Sequence, residues 1–261
     1  MKVFFQFTNF VNYLLRASNA HKIHSPFVYD IYTKIITDST PYYSFTNAEM
    51  ARSRMLNSNV ELLVEDFGTG GILKKEKKLS ISYIASHYIK PKKYGQLLFR
   101  LVNHFQPKNI LEIGTSLGIT TLYIALPDRR NNVVTLEGSI ETARIAALNF
   151  QMENVSNINV ITGEFSKTLP KTIKKLESLD FVYFDGNHRK LPTLNYFEQC
   201  LKIHNDKSIF IFDDIYHSKE MKEAWAAIKE HPAVTLTIDL FSLGIVFFIK
   251  QPAKQHFTLR F

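Results

Sequence analysis

From Asn109 to Lys250 the chain alternates short apolar runs with segments of helical period, and this alternation constrains the fold more tightly than any other feature. Apolar runs at 109–113, 132–136, 158–162, 179–185, 208–214, 234–240 and 245–250 read as strands, and segments at 118–126, 140–152, 166–177, 192–203 and 218–230 read as helices. Parallel strands need a crossover of about a dozen residues, usually a helix, so the pattern predicts a mostly parallel, doubly wound α/β sheet of seven strands. The last two runs, "VTLTIDLF" and "GIVFFIK", have almost nothing between them and must form an antiparallel hairpin.

Residues 1–92 precede this pattern and read as a mainly helical cap that carries substrate contacts over one sheet edge. The domain proper then covers 93–261, opening on a helix with Leu97, Leu98, Leu101, Val102 and Phe105 on one face. Within the cap, Pro26 disfavours helix at Ser25 and breaks the segment around "KIHSPF", beside His21 and His24. "LLVEDFGTGG" at Leu62–Gly71 imitates a cofactor loop and its "DFG" a kinase motif. No amphipathic helix follows and an H-R-D loop is missing, so it reads as a loop of the cap whose glycines let it fold over a ligand.

Composition narrows the class. With 45% hydrophobic residues the chain is long enough for a sizeable core, and one cysteine, Cys200, forms no internal disulfide and suits a cytoplasmic setting. "MKVFFQFTNFVNYLL" is interrupted by Gln6, Thr8, Asn9 and Asn12, so it reads as an amphipathic helix and not a signal peptide. No run approaches the ~20 apolar residues of a membrane span, and no membrane partner is expected. Residues 1–100 carry 14 Lys and Arg against 7 Asp and Glu, while the remainder carries 18 against 17. The basic balance therefore belongs to the cap, where "KKEKK" lacks the aromatic interleaving of a nucleic-acid channel and reads as a solvated face.

The first strand leads into "LEIGTSLG", in which Gly114 and Gly118 bracket a tight turn before a helix. The second strand ends in Glu137, at about the ~20-residue distance at which an acid hydrogen-bonds a ribose in nucleotide-binding sheets. "LEIGTSLG" with "VVTLEGS" resembles the first two motifs of class I S-adenosylmethionine-dependent methyltransferases, and the resemblance covers residues 93–250. It implies a Rossmann-like methyltransferase fold with S-adenosylmethionine as cofactor. By position, Gly114, Thr115 and Gly118 admit the methionine and ribose portions, Glu112 faces the sulfonium and amino end, and Glu137 with Gly138 holds the ribose. Gly163 and Glu164 border the adenine, with Phe165 stacking on it, while Tyr94 and Gly95 close over the methionine end.

Two further strand ends carry acids. "LDFVYFDGNH" ends in Asp185 and His188, and "SIFIFDDIYHS" ends in Asp213, Asp214 and His217. If these strands are neighbours, three carboxylates converge and call for a hard divalent cation such as magnesium, manganese or calcium. The arrangement resembles metal-dependent O-methyltransferases of the catechol type, with Asp214 where that type has Asn, and more closely the macrocin O-methyltransferase type. That resemblance implies Asp185, Asp213 and Asp214 as ligands of Mg²⁺, Asp185 also bordering the cofactor, and His188 as the general base. His217 reads as a supporting residue behind them.

The expected activity is methyl transfer to a hydroxyl of a small molecule or sugar. A nucleic acid or protein acceptor stays open because the pI is near 9.3, although an Asn/Asp-Pro-Pro-Tyr loop is missing and Cys200 lacks a preceding proline. A catalytically idle binding module is the third class, opposed by Glu112, Glu137 and the three aspartates. The oligomeric state is not legible; a homodimer stays open.

Overall fold

The computed structural model describes residues 2–66 and 75–261. In chain order its elements are α1 (Lys2–Arg16), α2 (Pro26–Ile31), α3 (Phe45–Leu56), β1 (Glu61–Asp66), β2 (Lys75–Ser80), α4 (Ile81–His87), α5 (Lys92–Phe105), β3 (Asn109–Ile113) and α6 (Ile119–Ala125). There follow β4 (Asn132–Glu137), α7 (Ile140–Met152), β5 (Ile158–Thr162), α8 (Phe165–Ile173), β6 (Leu179–Phe184), α9 (Lys190–Cys200) and β7 (His204–Asp213). The last are α10 (Lys219–Glu230), β8 (Leu236–Asp239), β9 (Leu243–Phe247) and β10 (Gln255–Thr258). Two compact units result, Thr40–Leu176 and Met1–Ser39 with Glu177–Phe261.

In Thr40–Leu176, β3, β4 and β5 pair in parallel. Apolar β-branched and leucine side chains dominate β3 and β4, and Ile110, Leu111, Ile113, Val133 and Leu136 are all fully buried, as parallel strands covered on both faces require. α5 buries the apolar row Leu97, Leu98, Leu101 and Val102 and stops at Gln106, which takes the left-handed conformation before Pro107.

The loop expected at Leu62–Gly71 is corrected over its first part. Glu61–Asp66 is a strand paired antiparallel with Lys75–Ser80. The physical reason is a period of two: Leu62 is buried, Leu63 is half exposed and Val64 turns inward again. Leu62 joins Ile81, Ile84 and Ala85 in a cluster that also contains Leu117, the residue between the two glycines of the β3–α6 turn. Phe67–Gly71, with most of the "DFG" mimic, lies outside the described residues, as does Lys74 of "KKEKK".

In the other unit β6 and β7 are parallel, β9 is antiparallel to both β7 and β8, and β10 lies parallel to β8. The expected terminal hairpin is thus β8–β9, and β10 is a strand beyond the seven expected. Ser25 caps α2 and Pro26 occupies its first turn, where a missing N–H costs nothing. Ser18 bridges to Leu259, and the buried Tyr13 hydroxyl donates to the Leu259 carbonyl at 2.6 Å.

Candidate active site

The first group of candidate residues lies at the ends of β3, β4 and β5. Gly114 (φ 107°) and Gly118 (φ 80°) both take left-handed backbone, which glycine adopts at these two positions without strain. A Cβ on Gly118 would also fall 2.6 Å from the ring of Phe150. Ser116, between them, is left-handed too, and its amide donates to Glu137 Oε2 at 2.7 Å. The other oxygen of Glu137 accepts the Ser139 amide at 2.9 Å. Burial pushes the Glu137 carboxyl above the usual range, partly offset by the Ser139 and Ser116 amides that favour its charged form. The Thr142 side chain and the Gly138 amide also favour the charged form.

Glu112 is fully buried. Its Oε2 accepts the hydroxyls of Thr121 at 2.5 Å and Thr135 at 2.6 Å, and Thr115 lies 2.5 Å from Thr135 in the same chain of hydroxyls. The group ties β3, β4 and α6 together beneath the turn. Asn149 is a contributor that sequence reading missed: its Nδ2 donates to the Leu117 carbonyl at 2.9 Å and fixes the same turn from α7. An Asn in mid-helix gives no signal of such a long-range bond.

The remaining members of this group are placed as follows. Gly138 is buried, and the Gly163 amide donates to the Glu137 carbonyl at 2.8 Å. Glu164 is exposed, accepts the Ser166 hydroxyl and pairs with Lys167, and Phe165 opens α8 partly buried. Lys93 sits over the Tyr94 ring at 4.9 Å. Gly95 faces Tyr123 so closely that a Cβ would lie 2.4 Å from the ring, which by itself accounts for a glycine there.

The second group follows β6 and β7. Phe184 and Phe212 are register partners with rings stacked at 4.3 Å, so the next residues, Asp185 and Asp213, leave their strands side by side. Asp185, His188 and Asp213 each offer a ligand atom, and these atoms lie within 4.8 Å of one another. His188 Nε2 stands 3.4 Å from Asp185 Oδ1, and Asp213 is buried. Asp214 takes left-handed backbone, its amide donating to the Ser242 carbonyl, and its Oδ2 faces His217 Nδ1 at 3.3 Å. The His188 and His217 rings are 5.8 Å apart. Asn187, also left-handed, accepts from Arg189 at 3.1 Å. Two carboxylates and an imidazole at this spacing are a donor set that fits a divalent cation.

The chain is similar to known methyltransferases. Residues 111–215 match the family described as methyltransferase domain. The chain is 29% identical over 125 residues to a catechol O-methyltransferase of Niastella koreensis, covering 46% of this chain and 55% of that protein. It is 27% identical over 123 residues to a catechol O-methyltransferase of Mycobacterium tuberculosis, covering 46% and 54%. The matched stretch thus spans about half the length of these curated relatives. An O-methyltransferase of Bacillus cereus solved with S-adenosylhomocysteine shares the fold at a TM-score of 0.58 and 21% identity, covering 82% of this chain and 94% of that one. A Podospora anserina methyltransferase does so at 0.61 and 15%, covering 87% and 97%. Residues 111–215 are therefore similar to a methyltransferase domain, and the fold is the Rossmann-like one that these solved methyltransferases share.

Proposed function

We propose that this chain transfers the methyl group of S-adenosylmethionine to a hydroxyl oxygen of a small molecule. The observation that carries this is the extent of the domain match, residues 111–215, which takes in both groups of candidate residues from Glu112 to Asp214. The catechol O-methyltransferase relatives support a hydroxylated acceptor.

In the proposed reaction Glu137 accepts the ribose hydroxyls and the Gly114–Gly118 turn gives the donor room at the backbone. The C–O bond forms as the methyl carbon leaves sulfur, the sulfur keeps the bonding pair, and S-adenosylhomocysteine departs. The acceptor proton passes to His188, an imidazole suited to take it near neutral pH. Asp185 and Asp213 would hold a divalent cation, which supplies a lowered pKa for a coordinated hydroxyl. Asp214 supports them through its pairing with His217. A second assignment rests on the 4.8 Å cluster: His188 as a third ligand to the cation.

The deciding assay supplies S-adenosylmethionine and a panel of catechols and sugars, with and without Mg²⁺, and measures methylated product by mass spectrometry. Cation-stimulated O-methyl product is expected. Calorimetry that finds no S-adenosylmethionine binding would sink the methyltransferase assignment. His188→Ala separates its two roles. A base loses ~10²–10⁴ in turnover and leaves cation affinity intact, whereas a ligand loses both.

A further inference from the structure

We propose that α1 docks on the surface of an anionic phospholipid bilayer, lying in the interface without crossing it. An ordinary surface helix buries its apolar stripe and shows water its polar one. α1 does the reverse. Asn9 is buried and accepts from Lys222 Nζ at 2.7 Å, Gln6 donates to the His217 carbonyl, and buried Tyr13 donates to Leu259. Gln6, Asn9 and Tyr13 thus form the inward row at spacings of three and four. The outward row is apolar: Val3 is 80% exposed, Phe4 73%, Phe7 63% and Leu15 81%, with Val11 and Leu14 partly exposed between them. Together these side chains exceed the scattered apolar exposure of a soluble surface and form one patch.

Charge selects the occupant. Residues 1–29 contain Lys2, Arg16 and Lys22 and no acid before Asp30. Lys2 opens α1, Arg16 closes it and Lys22 follows just beyond, so the cations of this segment stand at the ends of the helix. A second copy of this segment would bring the same three cations and no acid before Asp30 to answer them. A bilayer containing anionic lipid offers both acyl chains for the phenylalanines and negative charge for the cations at the ends of the segment. No helix of the described residues is long and apolar enough to cross a membrane, so the contact is one of surface docking.

Co-sedimentation of the full chain with vesicles tests this, using phosphatidylcholine alone and phosphatidylcholine doped with phosphatidylserine. The chain should pellet with the doped vesicles, and added salt should weaken the binding. The double variant Phe4→Glu, Phe7→Glu should lose roughly tenfold or more in partitioning, because two aromatic side chains no longer enter the interface. Lys22→Glu should reduce binding to doped vesicles alone. Both variants alter exposed side chains, and an unchanged circular dichroism melt verifies their fold. Failure to pellet with either vesicle overturns the proposal. So does light scattering that finds a dimer which the double variant splits, since a second copy then covers the face.

Discussion

The carboxylate of Glu137, at the end of β4, grips the backbone amide of Ser116 in the turn that follows β3, at 2.7 Å. The turn is shaped by left-handed residues, and this bond joins the Gly114 and Thr115 amides, which donate to the Leu136 carbonyl at 2.9 and 3.2 Å, in fixing it against β4. The group proposed to hold the ribose therefore also helps to fix the turn around it.

Glu137→Gln should weaken S-adenosylmethionine binding by ~1–3 kcal/mol, because a glutamine cannot accept from two amides and two hydroxyls at once. Calorimetry checks it. An unchanged dissociation constant would remove Glu137 from the cofactor site.

A pH effect follows from the same carboxyl. Folding raises its pKa, so the folded chain holds the proton more tightly than the unfolded chain does. Its contribution to stability is complete below the ordinary glutamate range and is lost as pH climbs through the raised value. Cofactor affinity should move oppositely, rising over the same interval as the carboxylate ionises. Titrating affinity against pH in the native chain and in Glu137→Gln checks this: the variant should be flat across that interval.

Asp213→Ala should abolish cation-stimulated turnover and spare S-adenosylmethionine affinity, since Asp213 belongs to the group that follows β6 and β7. Turnover with and without Mg²⁺, beside calorimetry with the donor, decides it. Equal loss of both would show that the roles are wrongly divided.

Gly95→Ala should destabilise the chain by ~1–3 kcal/mol through overpacking, as the new methyl would meet the buried ring of Tyr123. The ring is held by its hydroxyl bond to Glu49 at 2.6 Å and cannot easily yield. A thermal melt identical to that of the native chain would show that α5 shifts at no cost.

Tyr216→Phe should cost ~1–3 kcal/mol in urea unfolding. The phenol donates at 2.6 Å to Asp239, a carboxyl that burial already pushes above its usual range. Unaltered stability would mean that another donor replaces it.

The parallel core was legible because buried strands such as "ILEI" and "FVYF" are apolar at nearly every position and lead into glycine or acid. The terminal hairpin was legible because two apolar runs stood too close for a crossover. β10 was not, since "QHFT" is short and polar and owes its strand form to an open edge of β8. β1 was hidden by the glycines and acids beyond it. At the site, the strand ends marked the acids, but the direction each one faces is tertiary. Asp214 is turned by the Ser242 carbonyl, and Glu112 is claimed by threonines 9 and 23 positions away. Gly95 and Gly118 carry packing contacts with Tyr123 and Phe150 that no local pattern announces.

The clasp between Ser18 and the segment Thr258–Arg260 has a practical consequence. Ser18 donates to the Thr258 carbonyl and accepts from the Arg260 amide, so a protease cut before β10 would do two kinds of damage at once. It would bare the β8 edge as a template for aggregation and also strip α1 of the carbonyl that anchors Tyr13. A fusion tag placed there would strain the same seam, and expression yield would register it before any assay did.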